Sequence, residues 1–236
     1  MVAGATVSFT ERLALKASTI TRAALMAAVT AVAAQITVPL FPVPFTLQVL
    51  AVILSGLLLG VRHGALAQAV YVLVGAIGVP VFAGFTGGLG HVLGPTGGYL
   101  ISYPIAAAVA GLAAKSVAGD SRSRALWFGF FWGCAGLAVI YAFGATWLAV
   151  VSGLTPTEAI VTGILPFVIF DLIKVGLAAL VAVAAAPAIA LSRTWKCKTC
   201  GEERQPSRPC CPGCLSASPP WSADPPSCHP ISSSPC

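Results

Sequence analysis

Asp171 and Lys174 are the two residues whose types and spacing point most directly to chemistry. They lie near the middle of residues 163–183, GILPFVIFDLIKVGLAALVAV, a stretch long and apolar enough to span a membrane. A separation of three residues places both side chains on the same face of a helix. A charge at bilayer depth costs at least about 2.5–3.5 kcal/mol, so such residues usually mark a ligand or ion path. We interpret the pair as a binding site; an ion pair that only ties two helices together is the alternative.

The composition indicates a membrane protein. Of the 236 residues, 57% are hydrophobic and only 8% are charged, whereas soluble domains carry about 25% charged residues. The net charge of +6 comes from Lys and Arg residues that, Lys174 excepted, flank the apolar stretches and suit anionic lipid headgroups. The sequence has no stripe that interleaves basic and aromatic residues, so nucleic acid is not expected as a partner. The sequence therefore predicts an all-α integral membrane protein in contact with the lipid bilayer.

Six apolar segments predict six transmembrane helices. Their approximate ranges are 23–39, 47–60, 64–79, 98–114, 125–151 and a last segment that starts at Glu158, kinks at Pro166 and ends near Leu191, with Arg62 and His63 in the turn between the second and the third. In the fifth segment, Trp132 and Tyr141 face either the lipid interface or a cavity.

The distribution of basic residues predicts the orientation of these helices. The connections 38–46, 80–97 and 152–157 contain no Lys or Arg, whereas the other connections and both ends of the chain do. By the positive-inside rule, both termini are predicted to be cytoplasmic. We expect a cytoplasmic lead at residues 1–22 and a six-helix membrane domain at residues 23–192.

Residues 80–98 form the least regular segment and contain seven glycines. Their spacing is not that of a dinucleotide-binding fingerprint, and the segment lacks the Gly-Lys-Ser/Thr ending of a phosphate loop. Irregular backbone at membrane depth is tolerated only where protein or water covers it. We therefore predict a glycine-rich re-entrant outer loop between helices 3 and 4 that closes over a cavity, with Gly87, Gly88 and Gly90 near the ligand.

The first predicted helix carries Ala23, Ala27 and Ala31 at four-residue spacing. Small residues at this spacing allow another helix to approach closely in lipid. Because alanine is abundant throughout the chain, the pattern indicates either a docking face for a partner helix or composition alone.

Three segments resemble a known family of membrane proteins. They are PVPFTLQVLAV (42–52), GVPVFAGFTGGLGHVLGPTGGYLISYP (78–104) and LPFVIFDLIK (165–174). Together they resemble the BioY-type substrate-binding (S) component of energy-coupling-factor (ECF) transporters, which bind biotin; the likeness covers residues 20–191. The resemblance implies a six-helix S component in a prokaryotic plasma membrane that works with a transmembrane coupling subunit and two ATPase subunits. It also implies that the alanine face of the first helix docks on the coupling subunit.

The chemistry of biotin agrees with the residues in these segments. A buried carboxylate accepts hydrogen bonds from ureido N–H groups and an ammonium donates one to the ureido oxygen, so we assign Asp171 to the N–H side and Lys174 to the carbonyl. The other candidate contacts are aromatic walls at Phe82, Phe85 and Tyr99 and polar groups at Gln48 and Thr96. For the valerate carboxylate, no outward connection offers Lys or Arg. His91, backbone N–H groups or water are the remaining partners, unless the carboxylate stays near solvent.

Other functions follow from the same pair of charges. In a proton-coupled secondary carrier, Asp171 is the proton site and Lys174 its partner, and uptake depends on a pH gradient without partner proteins. An S component for another small vitamin, such as riboflavin or thiamine, needs more aromatic stacking than these segments offer. An enzyme is not expected, because the chain lacks an ATPase signature and a GxSxG-type nucleophile motif.

Seven of the eight cysteines lie after residue 196, outside the segments of the resemblance. Two CxxC pairs, Cys197 with Cys200 and Cys211 with Cys214, have the thiolates for a closed tetrahedral zinc site, and a cytoplasmic tail should stay reduced. A tail of accidental origin is the alternative, because residues 219–236 are rich in Pro and Ser. The expectations are a zinc-ribbon-like knuckle pair at 193–214, a disordered tail at 215–236, and no cofactor in the membrane domain.

Overall fold

The structure is a computed structural model that describes the backbone of residues 9–38, 43–119, 121–191, 195–196 and 203–204. Side-chain surroundings are described within residues 20–38, 43–119 and 121–186. The chain divides into two compact units, residues 1–183 and 184–236. The first of them contains the candidate site.

The described elements are almost all helices. In chain order they are α1 (Phe9–Gln35), β1 (Thr37–Val38), β2 (Phe45–Thr46), α2 (Gln48–Ala76), α3 (Leu89–Leu93), α4 (Gly97–Ala110), α5 (Ala114–Val117), α6 (Arg122–Ser152), α7 (Pro156–Gly163), α8 (Val168–Leu191), β3 (Trp195–Lys196) and β4 (Glu203–Arg204). β1 pairs with β2 in an antiparallel register that sets Thr37 opposite Thr46. The prediction of a mostly helical chain is confirmed.

Within the part of the chain that the structure describes, four helical stretches are long and apolar enough to cross a bilayer. They are Gln48–Ala76, Gly97–Val117, Arg122–Ser152 and Val168–Ala186, and Ile20–Gln35 is a shorter apolar stretch. Large apolar side chains such as Leu73, Trp127 and Val150 are exposed on these helices. A soluble monomer rarely exposes so much apolar surface, whereas lipid covers it at no cost. The chain is therefore a multi-pass membrane protein.

The buried core lies where four helices meet. α4 packs between α2 and α6, and α2 also packs against α1. Ile53, Tyr71, Ala106 and Ile140 are almost fully buried there. This core holds the cavity-lining side chains of α2, α4 and α6 in place.

Helix α2 reverses direction at Gly60. Gly60 has φ 80° and ψ 179°, a backbone conformation that is open almost only to glycine. Gln48 Nε2 donates a hydrogen bond of 2.6 Å to the hydroxyl of Tyr71, 23 residues later, although a straight helix would separate these residues by about 35 Å. The element is thus a helical hairpin with halves 48–59 and 61–76.

Three glycines allow the hairpin to close tightly. A Cβ on Gly64 would lie 2.8 Å from Gly56 Cα, and a Cβ on Gly111 would lie 2.5 Å from the backbone nitrogen of Val61. The reversal predicted between the second and third apolar segments is present, but it occurs at Gly60. Arg62 and His63, which were expected to form the turn, lie inside α2. One glycine makes the whole reversal because its backbone adopts a conformation that other residues avoid.

Replacing Gly60 by Ala should destabilise the protein by about 1–3 kcal/mol, because alanine is strained in the backbone conformation that Gly60 adopts. We expect a lower midpoint of thermal unfolding in detergent. Gly176→Ala is the matched control: it lies inside α8, and a Cβ there meets no atom within 4 Å. An unchanged midpoint for Gly60→Ala would contradict the reversal at this residue.

The last predicted span is divided into two helices. α7 ends at Gly163, and backbone N–H groups of Phe167 and Val168 donate to the carbonyl of Ile164 before α8 begins at Val168. Pro166 lies in this turn and cannot donate a helical hydrogen bond. The kink predicted at Pro166 is thus a break between two helices. Asp171, near the middle of the apolar stretch 163–183, is consequently in the first turn of α8.

A reciprocal capping box starts α7. The Thr155 hydroxyl oxygen accepts from Glu158 N–H at 3.3 Å, and Glu158 Oε2 accepts from Thr155 N–H at 2.8 Å. The backbone hydrogen bond from Thr155 lowers the pKa of the Glu158 carboxyl from its usual value. The cap fixes the start of α7, whose last residue, Gly163, lines the cavity.

In the second unit, β3 pairs with β4 in an antiparallel register, Trp195 opposite Arg204. The predicted zinc ligands Cys197, Cys200, Cys211 and Cys214 and the predicted disordered tail at 215–236 lie outside the described residues. Of the predicted N-terminal lead, residues 1–8 also lie outside them, and from Phe9 onward the lead forms the start of α1. The zinc site, the tail and the cytoplasmic lead stay predictions.

Candidate ligand-binding site

Asp171 and Lys174 form a buried ion pair at the start of α8. Lys174 Nζ lies 2.7 Å from Asp171 Oδ1, and each residue is only 4% exposed. The hydroxyl of Tyr141, on α6, donates to Asp171 Oδ2 at 2.7 Å. Both oxygens of the carboxylate therefore accept a hydrogen bond, as a buried charge requires.

Lys174 has two further partners on β2. Its ammonium donates to the Thr46 carbonyl at 2.6 Å and lies 3.6 Å from the centroid of the Phe45 ring. A carbonyl dipole and an aromatic face both stabilise a desolvated cation. The ion pair thus joins α8 and α6 to the strand that precedes α2.

A chain of hydrogen bonds continues from β2 to the outer loop. The Thr46 hydroxyl donates to Gln48 Oε1 at 2.8 Å, and Gln48 Nε2 donates to the Tyr71 hydroxyl at 2.6 Å. The Tyr71 hydroxyl in turn donates to the Val81 carbonyl at 3.1 Å. Gln48 is therefore oriented from both ends of its amide, which fixes which atoms it can present to a ligand.

A cavity opens beside this network. It encloses about 640 Å³ of space free of protein atoms, part of which is continuous with the surroundings. Six of the predicted ligand-binding residues line it: Gln48, Phe82, His91, Thr96, Tyr99 and Asp171. These side chains come from α2, the outer loop, α3, α4 and α8, so the fold brings together residues that are far apart in the sequence. Mostly apolar walls with a few placed polar groups are typical of a small-molecule site.

The remaining predicted residues lie elsewhere. Lys174 is behind Asp171 and is not part of the cavity wall. Phe85 is 72% exposed and has a positive φ of 56°, so its ring does not line the cavity. Gly87 packs closely on the Val79 carbonyl, while a Cβ on Gly90 would meet nothing within 4 Å.

Gly88 also shapes the backbone of the outer loop and does not line the cavity wall. Its N–H donates to the Gly75 carbonyl at 2.7 Å, and its φ of 98° suits glycine. The loop glycines therefore shape the backbone around the cavity, and direct ligand contact by Gly87, Gly88 and Gly90 stays a prediction.

One side chain that the sequence did not single out fastens the outer loop. Gln35, the last residue of α1, donates from Nε2 to the Phe82 carbonyl at 3.1 Å and accepts at Oε1 from Phe85 N–H at 2.9 Å. Between these contacts the ring of Phe82 is 1% exposed and lies 5.7 Å from the Tyr71 ring. Gln35 thus supports the turn that inserts Phe82 into the cavity wall.

Replacing Gln35 by Met should loosen this turn, because Met keeps the length of the side chain but makes no comparable hydrogen bonds. Each neutral hydrogen bond contributes about 0.5–1.5 kcal/mol, so we expect the Phe85 amide to exchange hydrogen roughly tenfold faster or more. Hydrogen exchange measured on peptides of residues 79–90 tests this, with peptides of α6 as the internal reference. Equal exchange in both proteins would show that Gln35 does not hold the loop.

Sequence reasoning missed several residues of the site. Thr46 acts through its backbone carbonyl, and Gln35 through a contact to a loop 47 residues away, so neither leaves a pattern in the sequence. For Tyr141, the sequence alone allows both a position at the lipid interface and one at a cavity. The structure buries it to 9% exposure beside Asp171.

The alanines of the predicted docking face are buried or partly buried within this chain. Ala23 and Ala27 are 3% and 8% exposed, and Ala31 is partly buried against the core. Ala24 and Ala28, at the same spacing on the neighbouring face of α1, are exposed.

The match to a known protein family extends over all elements of this site. The model of the BioY family matches residues 7–191, which include the ion pair, the cavity and the outer loop. The chain belongs to the BioY family. Curated BioY relatives include the "Probable biotin transporter BioY" of Pyrococcus horikoshii, 45% identical over 71% of this chain and 96% of the relative. The "Biotin transporter BioY" of Thermotoga maritima is 46% identical over 68% of this chain and 91% of the relative.

A solved structure supports the BioY fold independently. The chain is similar to the crystal structure of the S-component for biotin from an ECF-type ABC transporter, with a TM-score of 0.64. The two sequences are 26% identical, and the match covers 73% of this chain and 93% of the other. The BioY family match ends at residue 191, so the cysteine-rich tail is not part of it.

Proposed function

We infer that this chain is the biotin-binding S component of an ECF-type transporter. The observation that carries the inference is the buried Asp171–Lys174 pair at the wall of a mostly apolar cavity, in a chain of the BioY family. Members of this family are substrate-binding transport subunits and not enzymes. Chemistry at this site is therefore recognition, and the energy for transport comes from partner chains.

The ureido head of biotin is the part that fits the ion pair. Asp171 lines the cavity and has lone pairs left for ureido N–H groups beside those that accept from Tyr141 and Lys174. Lys174 keeps one N–H beyond its bonds to Asp171 and Thr46. For that proton to reach the ureido oxygen, the ammonium must move past Asp171 toward the cavity. We therefore propose direct contact by Asp171 and a contact by Lys174 that forms as the ligand enters.

The apolar part of biotin fits the aromatic walls. Phe82 and Tyr99 line the cavity as predicted, and Tyr103 and Phe167 add two more rings. The Tyr99 hydroxyl donates to the Gly163 carbonyl at 2.9 Å, which fixes its ring at the junction of α4 and α7. A thioether ring and an aliphatic chain gain about 25 cal/mol per Å² of apolar surface that such walls remove from water.

We also propose six membrane crossings with both termini in the cytoplasm of a prokaryotic cell. The reversal at Gly60 supports two crossings within the continuous helical stretch Gln48–Ala76. The basic residues support this orientation: Arg62 follows the reversal at Gly60, Lys115 lies in α5, and Arg122 and Arg124 lie in the first turn of α6. A transmembrane coupling subunit and two ATPase subunits are the proposed partners, and the exposed Ala24 and Ala28 of α1 are the proposed contact with the coupling subunit.

Binding of biotin to the purified chain tests the proposed function. Isothermal titration in detergent should show one saturable site for biotin and none for riboflavin or thiamine. A chain cut after Ser192 should bind equally well, because the tail lies outside the family match. Uptake into vesicles should need the ATPase module; uptake driven by a pH gradient alone would favour a proton-coupled carrier instead.

A further inference from the structure

His91 stands out among the polar side chains of the cavity wall. Among the described residues that line the cavity, it is the one side chain that can carry a positive charge, since Lys174 lies behind Asp171. It belongs to the short helix α3 in the outer loop, whereas the ion pair belongs to α8. The cavity therefore has one titratable group on its outer-loop side and a carboxylate on another wall.

The hydrogen bonds of Thr86 determine which nitrogen of His91 carries the proton. The Thr86 hydroxyl has a single proton, and it donates that proton to the Ala83 carbonyl at 2.9 Å. His91 Nε2 lies 3.1 Å from the same hydroxyl oxygen, so Nε2 must be the donor. In the neutral imidazole, Nδ1 is then a bare lone pair, and no described residue hydrogen-bonds to it.

A bare lone pair repels a carboxylate, whereas a protonated Nδ1 donates a charge-assisted hydrogen bond to it. We propose that His91, in its imidazolium form, binds the carboxylate end of the substrate through Nδ1–H, so that binding takes up one proton. This inference rests on the proposed binding of biotin. No bond other than N–H is formed or broken, and the proton comes from solvent.

The position of His91 suits the carboxylate and not the ureido group. Asp171 and Lys174 satisfy the ureido group, and the charge of Asp171 disfavours a second carboxylate nearby. The His91 ring stacks on Phe82 at 6.0 Å between centroids. Ala83 and Leu100 line the same cavity, so an aliphatic chain can reach the imidazole along apolar wall. A carboxylate buried in this wall without a partner would lose affinity.

Other titratable groups lie at or near the cavity, and their effects on pH dependence must be distinguished from that of His91. Asp171 and Lys174 come from α8, Tyr71 from α2, Tyr99 and Tyr103 from α4, and Tyr141 from α6. Phenols ordinarily ionise only near pH 10, outside the range in which an imidazole changes charge. Asp171 and Lys174 meet the ureido group, which a biotin ester carries unchanged, so comparison with the ester removes their contribution.

The test measures affinity of the full-length chain for biotin and for biotin methyl ester between pH 5.5 and 8.5. Biotin affinity should fall by at least about tenfold as the pH rises, because a charge-assisted hydrogen bond is lost. Affinity for the ester should stay nearly constant. Equal pH dependence for acid and ester would overturn the proposal without touching the proposed function, whereas no biotin binding at any pH would overturn both.

Three variants sharpen the result. His91→Gln should remove the pH dependence, while His63→Gln, which changes an exposed histidine outside the cavity, should retain it. Thr86→Val frees Nε2, so the neutral imidazole can carry its proton on Nδ1. This variant should bind biotin at pH 8.5 more tightly than His91→Gln does and show a shallower pH profile than the native chain. A native profile in His91→Gln or in Thr86→Val would contradict the assignment.

Discussion

Asp171→Asn should weaken the free energy of biotin binding by about 2–5 kcal/mol, which raises Kd roughly thirty- to several-thousand-fold. Asn keeps the shape of the side chain but removes the negative charge that pairs with Lys174 at 2.7 Å and that we propose accepts from ligand N–H groups. The loss combines weaker ureido recognition with a buried ammonium that lacks its carboxylate. Equilibrium binding of labelled biotin to the purified variant measures it.

Two controls separate recognition from folding. Glu158→Gln removes an exposed carboxylate that does not line the cavity, and Gln can also serve in the capping box, so the affinity should be unchanged. The double variant Asp171→Asn with Lys174→Met removes both buried charges, and it should recover thermal stability relative to Asp171→Asn without recovering affinity. Recovery of biotin binding in the double variant would mean that the pair only joins helices.

Gly98→Ala should strongly destabilise the protein, with a cost of about 1–3 kcal/mol or more from overpacking. Gly98 lies in the first turn of α4, where α4 crosses α6. An added Cβ would collide with Trp147 Cβ and lie 2.6 Å from the Phe143 carbonyl oxygen. Backbone cannot yield as the end of a flexible side chain can, so the two helices must separate.

The thermal unfolding midpoint in detergent measures this effect, with Gly90→Ala as the matched control. Gly90 lies in the neighbouring helix α3, and an added Cβ there meets nothing within 4 Å. Gly90→Ala should therefore unfold at the native temperature or slightly above it, since alanine favours helix. Equal midpoints for the two variants would show that α4 and α6 do not approach as closely as described.

The helices and the ion pair were predictable because they depend on composition and on local spacing. The apolar segments are separated by short connections, and Asp171 and Lys174 are the only charges within them apart from those at their edges. The family resemblance then indicated biotin. Both the family and the helical character of the chain are confirmed.

The tertiary contacts were not predictable in the same way. The reversal at Gly60 depends on one backbone conformation, and the division of α7 from α8 depends on how the chain turns at Pro166. Ala23 and Ala27 have the spacing of an external face, but the packing of α1 buries them. Which face of an apolar helix meets protein and which meets lipid depends on neighbours, and lipid-facing and buried residues are equally apolar.

The shape of the outer loop was predicted only in part. Its glycines were expected at the ligand, yet the structure uses Gly87 and Gly88 to bring backbone segments together. The side chain that fastens the loop, Gln35, is a single polar residue at a helix end. Such a contact joins positions far apart in the sequence, and no local pattern reveals it.

In the proposed complex, the Asp171 carboxylate binds the ureido N–H groups of biotin. The most direct measurement compares biotin with an analogue methylated on a ureido nitrogen, each titrated into the native chain and into Asp171→Asn. Methylation should weaken binding to the native chain by at least about tenfold more than to the variant, because the variant has already lost the charge-assisted hydrogen bond. The same factor of loss in both proteins would show that Asp171 and the ureido group do not meet.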